Sequence, residues 1–123
     1  MVCVVNVHAD VEMSEVANKY AKAIENWKNT GILPDRFGNE GQWEGNARFV
    51  YKLHIRLPSE PSWKKTKPQI DRHSNHYLVF SRHWLNYDNI QIIGIMSPDG
   101  HEKAKISYMV ELERRAEEFQ NSY

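Results

Sequence analysis

Apolar and other residues alternate one for one along residues 49–57, where Phe49, Tyr51, Leu53, Ile55 and Leu57 are separated by Val50, Lys52, His54 and Arg56. A period of two predicts a β-strand with one apolar face and one largely cationic face. Upstream, VCVVNV is dense in β-branched residues and predicts a buried strand ending near His8. Residues 11–29 carry Val16, Tyr20, Ala23, Ile24 and Trp27 at helical spacing, with Asp10 placed to cap the helix and Gly31 to end it. ILPDRFGNEGQWEGN contains Pro34, Gly38, Gly41 and Gly45 and reads as a loop, as does PSEPSWKKTKP with its three prolines and three lysines. HYLVF and NIQIIGIM predict two antiparallel strands joined by SRHWLNYD, a connection too long for a tight turn. In SPDGHEKAK, Asp99 and Glu102 are spaced as a capping box, and Ala104, Tyr108, Leu112, Ala116 and Phe119 then mark the apolar face of a last helix.

This order of strand, helix, three strands and helix predicts an α+β fold: a mainly antiparallel sheet of about four strands with both helices packed on one of its faces. No repeat or linker divides the 123 residues, so one domain, 1–123, is expected. At 41% hydrophobic residues the chain can fill one core. MVCVVNV is too short to cross a bilayer and lacks the basic flank and cleavage site of a secretory signal. Cys3 is the only cysteine, so no internal disulfide forms, and a cytoplasmic location without membrane contact is expected.

Charge changes the picture. The formal net charge is zero, yet between Arg48 and His83 stand eight basic residues against two acidic ones, together with four of the six histidines. Each flank carries four basic and seven acidic residues. A local positive field on a neutral chain is the footprint of a phosphate-bearing partner. Lys52, His54 and Arg56 share one strand face, and His76 with Arg82 is the set from the next strand whose chemistry matches them. All these groups are expected to gather in one pocket. His101 falls in the first helical turn, where the helix dipole favours an anion and disfavours imidazolium, with Lys105 one turn on.

Taken singly, each of these residues is an ordinary polar residue of a half-exposed surface; the one-sign row is what favours an anion. His73 and His76 have a His-x-x-His spacing, but on an extended segment the rings diverge and no Cys or Glu completes a metal set, so neither metal nor cofactor is expected. No serine or cysteine nucleophile motif is present. Trp27 reads as core. Trp63 reads either as a base-stacking group or as a plug that seats its loop. Histidines and arginines suit metal-free RNA cleavage, in which the 2′-OH attacks the adjacent phosphate: a base takes its proton, an acid protonates the leaving oxygen, and cations stabilise the transition state. Arg72, His54, His76, His83, His101 and Arg82 supply such groups.

GILPDRFG, YKLHIRL, HYLVF and IIGIMSPDGHEKAK, in that order, resemble the YafO family of toxins from toxin-antitoxin modules, over about Ala21 to Phe119. The resemblance implies a ribosome-dependent mRNA interferase, an endoribonuclease that cuts translated mRNA, with kinship to RelE-like toxin folds. It also implies a cognate antitoxin of the YafN kind, which would lay an acidic segment across the basic region. A homodimer is compatible with the sequence and not required by it. The matching positions are His54, Arg72, His76, His101 and Lys105, the last an arginine in the family pattern. His73, Arg82 and His83 have no counterpart. Chemistry and resemblance together put Arg72, His76, His101 and Lys105 in catalysis, and Lys52, His54, Arg56, His73, Arg82 and His83 on the RNA backbone. The rival readings are a non-catalytic module that grips rRNA or mRNA and blocks translation, and an inhibitor acting on a protein target.

Overall fold

The computed structural model describes residues 2–43, 45, 47–97 and 105–122. It is an α+β structure in the order β1 (Val4–Val7), α1 (Ser14–Thr30), β2 (Phe37–Gln42), β3 (Val50–Ile55), β4 (His76–Arg82), β5 (Asn89–Met96) and α2 (Lys105–Gln120). Five strands form one mixed sheet in the spatial order β1-β5-β4-β3-β2. β1 runs parallel to β5, and the remaining pairs are antiparallel. Among the described residues no helix is long and apolar enough to cross a membrane.

Two expectations about the sheet are corrected. The segment expected to be a loop supplies the edge strand β2, whose composition of glycine, Asn39, Glu40 and Gln42 hides it from any propensity scale; it forms because β3 offers an unpaired edge, with Gly41 opposite Lys52 and Gln42 opposite Tyr51. The helices also lie on opposite faces. α1 buries Ala17, Tyr20, Ala21 and Ile24 against Leu53, Ile55, Leu78, Phe80, Ile90, Ile92 and Ile95. α2 buries Tyr108, Leu112 and Ala116 against Val50, Val79, Ile93 and Met96. Each large apolar side chain buried this way contributes about 1.5–3 kcal/mol. A sheet apolar on both faces shows in β5, where Ile92 and Ile93 are consecutive and both fully buried, on opposite sides.

α1 begins at Ser14 after Met13, which adopts a left-handed conformation (φ 56°), rather than being capped by Asp10; Gly31 ends it as expected, its N–H donating to the Trp27 carbonyl at φ 77°. The proposed capping box at Asp99 and Glu102 lies outside the described residues. α2 is tied to the sheet by Arg115, buried to 3% exposure, which donates to the Ile93 carbonyl (2.8 Å), Glu111 (2.7 Å) and Glu12 (3.2 Å).

The excursion from Leu57 to Asn75 between β3 and β4 folds back onto β2. Its short 3-10 turn, Gln69–Asp71, lies beside β2, and Gln69 Nε2 donates to the Gly38 carbonyl (2.9 Å). Gly38 permits this closeness: a Cβ there would lie 2.5 Å from the Arg72 carbonyl oxygen and 2.9 Å from the Trp63 ring. Gly38→Ala is expected to lift the excursion off β2 and destabilise the fold by about 1–3 kcal/mol. Chemical denaturation monitored by tryptophan fluorescence measures this.

Candidate RNA-contact face

Register decides which residues share a face. His54 stands directly opposite Tyr77, Lys52 opposite Val79, and Ile55 opposite His76. Lys52 and His54 therefore lie on the α2 side of the sheet with Tyr77. His76 and Arg82 belong with Leu78 and Phe80 on the α1 side. The expected pairing of the cationic face with His76 and Arg82 is corrected on this ground, and the eight candidate residues whose side chains are described do not form one pocket.

What assembles is a smaller cluster. The His54 ring meets His73 edge-on at 5.1 Å and Tyr77 at 4.7 Å, and Lys52 Nζ lies 4.9 Å from the centre of the Tyr77 ring. His73 is exposed, while Lys52, His54 and Tyr77 are half-buried. Ser74 holds His54 in place: the ring's Nδ1 lies 2.9 Å from both the Ser74 N–H and the Ser74 carbonyl. With the proton on Nε2, Nδ1 accepts from the N–H; with Nδ1 protonated, it donates to the carbonyl. The ring is thus anchored in every protonation state, and its Nε2 has no partner among the described residues. Ser74 is anchored in turn, since its single hydroxyl proton is shared between the carbonyls of Ile55 (2.8 Å) and His76 (2.9 Å).

Burial lowers the His54 pKa below its ordinary 6.5, opposed by the hydrogen bond to Ser74 and reinforced by the charges of His73 and Lys52. At neutral pH the imidazole is neutral, the state a general base requires.

The other candidates are placed elsewhere. Arg72 was expected on phosphate, but it is 3% exposed and its guanidinium faces only backbone carbonyls: Nε donates to Lys67 (2.9 Å), Nη1 to Pro34 (3.2 Å) and Phe37 (3.0 Å), and Nη2 to Lys64 (3.4 Å) and Lys65 (3.5 Å). Five N–H donors meet five acceptors, so none remains for a phosphate. Arg56 stacks its guanidinium 4.8 Å from the Trp63 ring, and Trp63, 7% exposed, is the plug of its loop rather than a stacking platform. His76 Nδ1 is 2.7 Å from the Ser97 hydroxyl and its Nε2 is 3.7 Å from Glu60. The two rings of His73-x-x-His76 thus keep different company. Arg82 donates to the Tyr87 carbonyl (3.0 Å) and lies over the Tyr87 ring. His83 is fully buried against Phe119, its Nδ1 accepting from the Leu85 N–H, which withdraws it from direct RNA contact. His101 lies outside the described residues, and Lys105 marks only the start of α2.

Tyr77 and Ser74 were not singled out by the sequence. Tyr77 joins His54 only through strand register, and Ser74 acts through its backbone, so residue type gave no signal for either. Among the described residues no group of three or more His, Cys, Asp or Glu side chains could hold a metal ion.

The family comparison decides the class. The model of the YafO toxins of type II toxin-antitoxin systems matches residues 25–121. The chain belongs to that family. No curated protein and no solved structure matches it. A type II module implies an antitoxin partner for this toxin. The match spans the end of α1, β2 to β5 and the whole of α2, and so includes Lys52, His54, His73 and Tyr77.

Two measurements test this geometry. NMR titration is expected to place His54 below pH 6.5. Because folding lowers that pKa, its contribution to stability is intact above pH 6.5 and is lost as pH falls toward the folded-state value, so His54→Gln should flatten the acid limb of the stability curve. Arg72→Lys is expected to cost about 3 kcal/mol or more, since one ammonium cannot serve five carbonyls, with unfolding in denaturant as the readout.

Proposed function

We propose that this toxin is a ribosome-dependent endoribonuclease that cleaves translated mRNA by 2′-OH attack, without metal. The observation that carries the reading is the juxtaposition of His54, His73, Tyr77 and Lys52 on one open strand face of a chain that belongs to a toxin family. In this scheme Nε2 of the neutral His54 takes the 2′-OH proton. His73 or Tyr77 returns a proton to the departing 5′-oxygen, and Lys52 stabilises the negative charge on the phosphate. Arg72 acts by holding the excursion that carries His73 and Ser74. His76, His101 and Lys105 belong to the proposal through the family resemblance, with His76 at the adjoining end of β4. Arg56 and Arg82 would touch RNA only at its margins. Kinship with RelE-like toxins is part of the same proposal and rests on the order of helix, antiparallel strands and C-terminal helix.

Dependence on the ribosome accords with the sparse charge of the face among the described residues. Lys52 is the one lysine or arginine on it among the described residues, since Arg72 and Arg56 are directed elsewhere. An incomplete site needs its substrate delivered in line, and the decoding centre supplies that geometry. The same sparseness favours, as a second reading, a non-catalytic module that binds rRNA or mRNA and blocks translation.

Mapping mRNA 5′ ends after induction separates the two. Cleavage predicts new ends that vanish when translation is inhibited, and His54→Gln is expected to lower their yield by about 10²–10⁴-fold with the fold intact. Growth arrest by His54→Gln without new ends would establish the binding module instead.

A further inference from the structure

The far end of β3 carries a feature that RNA cleavage leaves unexplained. Phe49, Trp84, Leu85 and Tyr87 remain 40%, 57%, 58% and 45% exposed. Phe49 meets Tyr87 edge-on at 6.3 Å, and Phe49 and Trp84 line one groove of about 480 Å³ together with Ala47, Arg48, Ala116 and Glu117. Exposed aromatic patches of this kind mark interaction sites.

The rings are held. The Trp84 N–H donates to Gln120 Oε1 (2.9 Å) and its indole N–H to the Gln120 carbonyl (3.2 Å). Gln120 Nε2 is itself fixed on Ser81 Oγ (2.9 Å) and the Arg82 carbonyl (2.8 Å). Phe49 adopts φ 61°, a left-handed conformation that costs a non-glycine residue about 1–3 kcal/mol, and its carbonyl accepts the Arg82 N–H at 2.9 Å. A strained backbone that displays an aromatic ring to solvent is a surface organised in advance of binding.

Charge chooses the occupant. Arg48 and Glu117 are exposed, carry opposite signs and have no partner among the described residues, and the Glu113 carboxylate also lines the groove. A phosphodiester chain lying there would meet these carboxylates, whereas a polypeptide with apolar anchors and an acidic residue opposite Arg48 would not. The type II module supplies such a partner in its antitoxin.

We propose that the antitoxin docks in this aromatic groove rather than on the cationic face, seating apolar side chains against Phe49 and Trp84 and a carboxylate against Arg48. Phe49 is five residues from His54 along β3, about 17 Å, so this contact leaves the histidine cluster uncovered. The docking does not depend on the catalytic reading.

The test is calorimetric titration of purified toxin with the antitoxin of the same module. Trp84→Ala truncates an exposed ring of the groove, and Phe49→Gly removes the other ring while glycine accepts φ 61° without strain, so both variants should fold, as circular dichroism verifies. Each is expected to weaken antitoxin binding at least tenfold, while His54→Gln changes it less than twofold. Unchanged affinity in both folded variants overturns the proposal. So does normal antitoxin binding accompanied by lost affinity for single-stranded RNA, or by dissociation of a toxin dimer in size-exclusion chromatography, since the groove would then serve RNA or a second copy. A failure of the cleavage reading would show instead as His54→Gln retaining mRNA cleavage, with these affinities unaffected.

Discussion

The burial of Arg72 against five backbone carbonyls is the constraint on which the candidate site rests. A charged guanidinium leaves water only where its donors are met, and here they gather carbonyls from the Pro34–Phe37 segment and from Lys64, Lys65 and Lys67. The excursion between β3 and β4 is thereby closed on β2 although it has little regular structure of its own. The Asn39 N–H completes the join by donating to the Arg72 carbonyl at 2.9 Å. Two residues further on, Ser74 is set against Ile55 and His54, and His73 is delivered to the face of the His54 ring. A residue whose donors are all committed to backbone carbonyls thus determines where two imidazoles stand.

The second constraint is the double-sided sheet. Because α1 and α2 cover opposite faces, the strands bury apolar side chains on both sides, and polar groups stay accessible only where neither helix reaches. Val50 at one end of β3 lies under α2, whereas Lys52 and His54 remain half-buried. Among the described residues, the cationic face is therefore the part of the packed surface that neither helix covers, which explains its small size. It also explains the lowered pKa of His54, which lies close enough to packed side chains to lose hydration.

The two ends of β3 consequently carry different chemistry. One presents imidazoles, a phenol and an ammonium beside the start of β4. The other presents rigid aromatic rings flanked by Arg48 and the carboxylates of Glu113 and Glu117. In the proposed reading the toxin engages both a polyanion and a neutralising protein, and two surfaces separated along a single strand allow each contact its own physics: long-range charge for one, desolvation of apolar area for the other.

The sequence alone determined the elements whose signal is local. The alternation of residues 49–57 specified β3 and the common face of Lys52 and His54, Gly31 specified the end of α1, and the spacing of Tyr108, Leu112 and Ala116 specified the buried face of α2. The ordered motifs from GILPDRFG onward carried the family. Only the tertiary structure decided the rest. β2 exists because β3 has an edge to pair, Arg72 is buried because distant carbonyls converge on it, and Tyr77 rather than His76 faces His54 because a one-residue change of register exchanges the faces of a strand. Each depends on a pairing between segments far apart in the chain, and residue type at one position carries no record of its partner.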